Sequence, residues 1–222
     1  HPNGPSMVEC LAARGLEVWT VDLRGQGRSI RARGNHRYDM GDLAVDDLGT
    51  AIRYVLDHTT TKATKVDHQG CSQVTNLSFA HEDILEKEPL HAHDTKLRCR
   101  FFRLAERLVM AVLDPHPVIN REIAEWMRRG DLVVRGVNVS AKVPAMQHPF
   151  LCIVANDDGI VLPATSRHTF DIIGSTRKEI LFVGDSEMPI GHADLFLCKG
   201  AQPRIFAPVA DFLLGCQDAS SS

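Results

Sequence analysis

Apolar and polar positions follow a helical period in two stretches near the start of the chain. The segment MVECLAARG, which ends at Gly15, is followed by the β-rich LEVWTVDL, and this order predicts a helix closed by a glycine cap and then a strand. From Asp42, an N-cap candidate, apolar residues recur at three- and four-residue steps as far as Leu56. That spacing predicts a second helix of about four turns. The Arg- and Gly-rich segment between them offers nothing to a core and is predicted to be a solvated loop.

The second half of the chain contains two nearly continuous apolar runs, PFLCIVA and KEILFVG, of the kind that buried parallel strands need. The closing segment PRIFAPVADFLL predicts an amphipathic helix opened by Pro203. Between Pro89 and Val143 we find no strand signal of any strength, and amphipathic helical pieces are broken by Pro115 and Pro117. Helix and strand therefore alternate around a helical middle. This order predicts one α/β domain, with a mostly parallel central sheet flanked by helices and a helical insertion.

The amino-acid composition and net charge limit the kinds of binding partner that we expect. The chain has 222 residues, 44% of them hydrophobic and 24% charged, which is enough to bury one sizeable core. A net charge of −3 gives no electrostatic reason to expect nucleic acid or an anionic membrane as partner. No apolar run approaches the roughly 20 residues of a membrane span. The six cysteines are scattered without a CxxC pair, which favours a reducing, cytoplasmic setting.

The segment GCSQV, residues 70–74, lies at a predicted junction of strand and helix. A sharp turn at this point would lift the Ser72 hydroxyl clear of the sheet, as in a nucleophile elbow. A serine hydroxyl is a weak nucleophile by itself, so it needs an imidazole as base and a carboxylate that orients the imidazole. Taken alone the motif is weak, because most such serines are turn or helix-cap residues.

Candidates for the other two groups follow the two apolar runs. NDDGIV comes directly after FLCIVA, and GHADLF follows KEILFVG by a short loop. The resulting order of Ser72, an aspartate and His192 is the order expected for a hydrolase built on such a sheet. We favour Asp158 over Asp157 because the Asp-x-Ile-Val spacing fits an acid loop better. Each group also has a purely structural interpretation, Asp158 as a turn aspartate before Gly159 and His192 as a surface-loop histidine.

Together these segments resemble the α/β-hydrolases. VDLRGQGRS is similar to the strand and loop after their oxyanion loop, GCSQV to their elbow and ANDDGIVLP to their acid loop. GHADLFLCKGAQPRIFAPVADFL is similar to their histidine loop and last helix. The resemblance covers most of the chain outside the helical middle. It implies a hydrolase core of residues 1–88 and 144–222 and a helical cap of residues 89–143 over the active site.

The resemblance implies a serine hydrolase that cleaves a carboxylic ester through an acyl-enzyme intermediate. In that interpretation Ser72 attacks the carbonyl, His192 transfers the proton and Asp158 orients the imidazole, while the backbone N–H of Gln73 donates to the oxyanion. No metal or organic cofactor is implied. The expected partner is a small-molecule ester with an apolar acyl group, given the apolar content of the cap.

Other functions stay open at the level of sequence. The terminal segment is also similar to the end of polyhydroxyalkanoate synthase-like relatives, whose nucleophile is a cysteine, so acyl transfer and Cys71 are retained as rivals. Val74 stands where the family has a glycine, and the family's apolar strand that leads to a His-Gly oxyanion loop does not precede His1-Pro2-Asn3-Gly4 in this sequence. These departures motivate a non-catalytic, hydrolase-like binding protein as a further alternative. A zinc site at His91 and His93 is disfavoured, because the metallo-β-lactamase pattern wants an aspartate where this chain has Thr95.

Overall fold

The computed structural model describes residues 4–25, 27–31, 37–63, 65–67, 117–159 and 161–218. The helices within these residues are α1 (Met7–Ala13), α2 (Leu48–His58), α3 (Pro117–Arg129), α4 (Pro163–Ile172), α5 (Asp194–Leu197) and α6 (Ala207–Asp218). The strands are β1 (Val133–Val134), β2 (Val137–Asn138), β3 (Phe150–Ala155) and β4 (Lys178–Val183). Wide π-helical turns, Asp42–Asp47 and Gln202–Phe206, lead directly into α2 and α6, and 3-10 turns span Gly27–Arg31 and Ser140–Ala145.

The described part of the chain is mixed helix and sheet, with two sheets of two strands each. β3 and β4 are parallel, from the pair Phe150 and Lys178 to the pair Ala155 and Val183, and α4 connects them. β1 and β2 are antiparallel. Both apolar runs predicted to be strands are confirmed, and so is their parallel pairing. The larger central parallel sheet that the sequence predicted is not present among the described residues.

One predicted strand is not a strand in the structure. Residues 16–23 run as an irregular segment and form no ladder with β3 or β4. The side chains of Trp19 and Val21 are 42% and 52% exposed, although their β propensity is high. Propensity alone does not make a strand, because a strand needs a partner whose N–H and C=O groups complete its hydrogen bonds.

Gly15 ends α1 as the sequence predicted. Its φ of +85° lies in the left-handed region that glycine enters without steric cost. The N–H of Gly15 donates to the carbonyl of Ala12 at 3.0 Å, and the N–H of Leu16 donates to the carbonyl of Leu11 at 3.2 Å. This pair of bonds is the Schellman motif, which satisfies carbonyls left over at the end of the helix.

The helical stretch that contains α2 is confirmed, but its N-terminal cap is Asp39 and not the predicted Asp42. The backbone N–H of Asp42 donates to Asp39 Oδ1 at 2.8 Å, and the backbone N–H of Asp39 donates to Asp42 Oδ2 at 2.9 Å. This reciprocal arrangement is a capping box, which satisfies two amide groups that the first helical turn leaves without intrahelical acceptors. The helix therefore begins about one turn earlier than predicted.

The helical middle of the chain is interrupted by a hairpin, contrary to the prediction that no strand lies there. β1 and β2 are joined by Arg135 and Gly136, whose φ values are +49° and +80°. Two successive residues with positive φ match the right-handed twist of a tight hairpin. Strands of two residues are too short to leave a periodic signal, so the sequence pattern did not reveal them. Before this hairpin, α3 confirms a helix at INREIAEWMRRG, whereas residues 89–116 lie outside the described residues.

Within the part of the chain that the structure describes, buried apolar side chains form two clusters. The first, here called the sheet core, joins α1, β3, β4 and the segment that leads into α6 through Leu11, Ala155, Val183, Ile190, Ala201, Ile205, Phe206, Val209 and Ala210. The second, the α3 core, joins the residues before α2 to α3 through Tyr38, Met40, Ile119 and Trp126. Every helix in the described residues falls short of the length and apolar character that crossing a bilayer demands.

The Arg- and Gly-rich loop differs from the predicted solvated turn, because Arg24 is held in a half-buried ion pair. Its Nε and Nη2 atoms donate to the Asp47 carboxylate at 2.6–2.9 Å, and the two side chains are only 20% and 19% exposed. Hydrogen bonding by Arg24 holds the pKa of the Asp47 carboxyl below its usual range. Arg135 in the hairpin pairs in the same way with Asp46, so the loop, the start of α2 and the hairpin are tied by charge.

Candidate active site

Two candidate site residues lie beyond the carboxyl ends of neighbouring strands. Asp158 follows β3 by a short turn, and His192 follows β4 by a longer loop. Because β3 and β4 are parallel and adjacent, both loops leave the same edge of the sheet. This edge is where ligand sites of open α/β sheets form.

Asp158 and His192 are hydrogen-bonded to each other. His192 Nδ1 lies 2.8 Å from Asp158 Oδ2, and the two side chains are only 11% and 5% exposed. The other carboxylate oxygen, Oδ1, accepts the backbone N–H of Val161 at 2.8 Å. An ionised carboxylate only accepts hydrogen bonds, so the imidazole hydrogen belongs on Nδ1 and Nε2 is the basic nitrogen. Both Asp158 oxygens are thus used, one by its own loop and one by His192.

Asp157, the rival carboxylate, faces solvent. The residue is exposed, and its backbone N–H donates to the carbonyl of Ile190 at 3.1 Å. Asp157 therefore links the two loops through its main chain, whereas Asp158 bonds His192 through its side chain. The structure brings the side chain of Asp158 to His192.

The acid loop is anchored at both ends by burial. Ala155, the last residue of β3, and Val161 are 3% and 1% exposed, so Asp158 lies between two fixed points. α4 begins at Pro163, whose restricted φ suits the first turn of a helix and whose missing N–H is not needed there. The buried carboxylate therefore belongs to a short segment with little freedom to rearrange.

The loop after β4 is shaped by Gly184 and Asp185. Gly184 has a φ of +93°, which turns the chain sharply at the end of the strand. Asp185 Oδ1 then accepts the backbone N–H groups of Glu187 and Met188 at 2.9 and 2.7 Å. These two bonds, from Met188 first and Glu187 second, lower the pKa of the Asp185 carboxyl. The turn is an Asx-type turn, of the kind that aspartate favours.

Residues on both sides of His192 fix its position. Ile190 is 1% exposed and belongs to the sheet core. The backbone N–H of Gly191 donates to Asp194 Oδ2 at 3.0 Å, and α5 begins at Asp194. His192 is consequently placed between a buried anchor and the start of a helix.

The sequence pattern did not single out Asn156, which connects the two loops. Its Oδ1 accepts the backbone N–H of Ile190 at 2.9 Å, and its Nδ2 donates to the carbonyl of Asp185 at 3.2 Å. The available signal was an asparagine at the first position after a buried strand, where a short amide side chain can reach the next loop. The contact itself depends on β4 lying beside β3, which periodicity does not encode.

Several predicted residues lie outside the described part of the chain. These are the nucleophile candidate and its neighbours in the elbow, together with the disfavoured zinc ligands: Cys71, Ser72, Gln73, Val74, His91 and His93. Their roles stay predictions. The structure therefore describes the acid and base of the predicted triad, and not the nucleophile or the oxyanion donor.

Two described cysteines have the opposite character from an activated nucleophile. Burial in β3 raises the pKa of the Cys152 thiol to about 11, and Cys152 Sγ lies 3.3 Å from the carbonyl oxygen of Ser166. Burial also raises the pKa of Cys216. A reactive thiol needs a lowered pKa and access to solvent, and the pKa of both thiols is shifted in the opposite direction.

The chemistry available at this edge of the sheet is that of a histidine base oriented by an aspartate. The imidazole is held in one tautomer, and a carboxylate lies where it would stabilise the imidazolium formed when Nε2 takes a proton. A scan against protein-family models and a search of curated proteins find no match to this chain.

Proposed function

We propose that this protein is a serine hydrolase that cleaves a carboxylic ester through an acyl-enzyme intermediate. The observation that carries the proposal is the 2.8 Å hydrogen bond between His192 Nδ1 and the buried Asp158 carboxylate. The bond lies at the shared edge of two parallel strands, in the chain order that a Ser-Asp-His hydrolase requires.

In the proposed reaction Ser72 is the nucleophile. His192 takes the hydroxyl proton on Nε2 as Ser72 Oγ attacks the ester carbonyl, and the backbone N–H of Gln73 donates to the oxyanion. The imidazolium then gives the proton to the leaving alcohol as the C–O bond breaks. Water, deprotonated by the same imidazole, attacks the acyl-enzyme carbonyl. The bond from the acyl carbon to Ser72 Oγ then breaks as the imidazolium returns its proton to Oγ, which releases the carboxylic acid and free Ser72. Asp158 stabilises the imidazolium in both halves of the cycle without taking its proton.

The proposal includes an α/β-hydrolase fold. In it, β3 and β4 are strands of a mostly parallel central sheet, residues 1–88 and 144–222 form the core, and residues 89–143 form a cap. The order of β3, the acid loop, α4, β4, the histidine loop and α6 supports this arrangement. The proposed substrate is a small-molecule ester with an apolar acyl group that the apolar residues of the cap would accommodate.

Labelling with a fluorophosphonate probe tests the proposal. This probe reacts with a serine that a neighbouring base has activated, so the unmodified chain is expected to label. Ser72→Ala removes the nucleophile and His192→Ala removes the base, and both variants are expected to lose labelling. Cys71→Ala is the matched control, because it alters the adjacent side chain and leaves the proposed triad intact.

The control variant is expected to label like the unmodified chain. A folded chain that does not label contradicts the proposed hydrolase and favours a binding protein. A thiol nucleophile, as in the synthase-like alternative, would leave the folded chain unlabelled by the fluorophosphonate but alkylated by iodoacetamide at residue 71, and Cys71→Ala would lose that alkylation. Circular dichroism on each variant separates loss of activation from loss of fold.

A further inference from the structure

The side chain of Asn156 links the two loops that carry Asp158 and His192. It accepts from the N–H of Ile190 at 2.9 Å and donates to the carbonyl of Asp185 at 3.2 Å. The chemistry of these partners fixes the orientation of the amide, because an N–H requires the oxygen and a carbonyl requires the NH₂ group. One side chain thus reaches both ends of the 185–190 loop.

Gly184 gives this amide the space that it occupies. A Cβ atom on Gly184 would lie 1.8 Å from Asn156 Oδ1, and the φ of Gly184 is +93°. A residue with a side chain would therefore be strained at this position and would also collide with the amide. The position of the Asn156 amide therefore requires a glycine at residue 184, at the start of the loop after β4.

The contacts of Asn156 are close along the chain to both the acid and the base. Asn156 is two residues before Asp158, and its acceptor contact is made with Ile190, two residues before His192. The backbone N–H of Asp157 donates to the carbonyl of the same Ile190 at 3.1 Å. The two loops are therefore joined on both the N–H and the C=O of one buried residue.

We infer that Asn156 is a positioning residue that holds His192 Nδ1 within hydrogen-bond distance of the Asp158 carboxylate. The inference concerns the geometry of this pair, and its consequence for catalysis rests on the proposed function. Without the amide, the Ile190 N–H loses this acceptor, while the main-chain bond from Asp157 to the Ile190 carbonyl remains. The imidazole is then free to shift away from the carboxylate.

Proton NMR of the full chain tests the inference independently of activity. An Nδ1–H that donates to a buried carboxylate is deshielded and protected from exchange, so it gives a far-downfield signal. The signal is assigned by its loss in His192→Ala. It is expected to be lost in Asn156→Ala and kept in Asn138→Ala. Asn138 is the matched control because its Oδ1 also accepts a backbone N–H, from Ala141 at 2.9 Å, outside the candidate site.

A retained downfield signal in folded Asn156→Ala would overturn the inference, as would its absence from the unmodified chain. If Asn156→Ala does not fold, folded Gly184→Ala decides in the same way, since the added Cβ displaces the amide. The rate of fluorophosphonate labelling is expected to fall about 100-fold in Asn156→Ala, because a misplacement of about 1 Å can cost that factor. If the unmodified chain does not label, the proposed function fails, yet the NMR signal still decides the role of Asn156.

Discussion

Two adjacent aspartates with the same chemistry have different surroundings. Asp158 is buried, with both oxygens engaged by Val161 and His192, whereas Asp157 is exposed. A carboxylate in a water-poor setting has a stronger field on a neighbouring imidazole, because little solvent screens it. The difference between the two residues is therefore one of environment and not of type.

Replacing each aspartate by asparagine separates their roles. Asp158→Asn keeps the shape and an acceptor for Val161, but presents a neutral amide to His192 that no longer fixes its tautomer or stabilises the imidazolium. We expect the rate of ester hydrolysis to fall by about 10⁴-fold, the size of effect known for such a change in a triad. Asp157→Asn keeps the backbone bond to Ile190 and is expected to change the rate less than about 3-fold.

Hydrolysis of a short-chain p-nitrophenyl ester, followed by absorbance, measures both variants. Equal losses in the two variants would contradict the assignment of Asp158. A larger loss in Asp157→Asn would transfer the role to the exposed neighbour.

At the scale of elements, charge pairs join segments that are distant along the chain. Arg24 is bound to Asp47 at the end of the π-helical turn before α2, and Arg135 in the hairpin is bound to Asp46. The pair at Arg24 is mostly shielded from solvent, in contrast to the pair between Arg14 and Asp211, whose side chains are 38% and 67% exposed. Only the shielded pair is expected to matter for stability, because solvent screens exposed ion pairs.

Arg24→Gln tests the contribution of the shielded pair. Hydrogen bonds to charged groups are worth about 1.5–3 kcal/mol, and we expect the free energy of unfolding to fall by about 2 kcal/mol at pH 7. Arg14→Gln, the exposed control, is expected to cost less than about 1 kcal/mol. Urea unfolding measures both, and equal losses would contradict the distinction.

The pH dependence of the Arg24 effect has a defined sign. The pKa of Asp47 is lowered in the folded protein, so its pairing stabilises the fold above the ordinary aspartate range and is lost as pH falls through the lowered value. The difference between Arg24→Gln and the unmodified chain should therefore shrink in acid. A difference that grows in acid would contradict the ion pair as its cause.

At the scale of the whole molecule, the sheet core is the larger of the two buried clusters found among the described residues. It collects side chains from the first helix, both parallel strands and the C-terminal segment. Phe206, 2% exposed, is among the largest fully buried side chains there, while Phe182 on β4 is 58% exposed. The same residue type thus occurs in both extremes of burial.

Alanine substitutions at these two phenylalanines measure how much the sheet core contributes to the free energy of unfolding. Phe206→Ala removes a buried ring and leaves a cavity, at an expected cost of about 3–5 kcal/mol in the free energy of unfolding. Phe182→Ala removes a mainly exposed ring and should cost less than about 1 kcal/mol. Denaturant unfolding compares them, and similar losses would show that the sheet core does not dominate stability.

The parts of the fold that the sequence predicted are those set by local pattern. β3 and β4 are continuous apolar runs, and Gly15 ends α1 as its conformational freedom suggests. The parts it missed depend on partners distant in the chain. Residues 16–23 have strand-like composition without a ladder, and Arg24 lies in a loop whose burial depends on Asp47.

The residues of the candidate site also divide into those that a local sequence pattern predicts and those that depend on contacts between distant segments. Asp158 and His192 could be predicted, because each follows an apolar run that is recognisable as a strand in the sequence. Asn156 was not predicted, because its side chain bonds the loop after β4. That contact exists only when β4 lies beside β3. The sequence around a polar residue that follows a strand does not indicate whether its side chain will bond another loop.

The β3–α4–β4 connection has a consequence for the order of folding. Asp158 and His192 are separated by only 34 residues, and α4 and β4 lie between them. Short loops close at a lower entropic cost than long ones, so we expect contacts within this strand–helix–strand unit to form before contacts between more distant segments. We therefore expect the Asp158–His192 pair to assemble together with this unit, ahead of the rest of the proposed catalytic machinery.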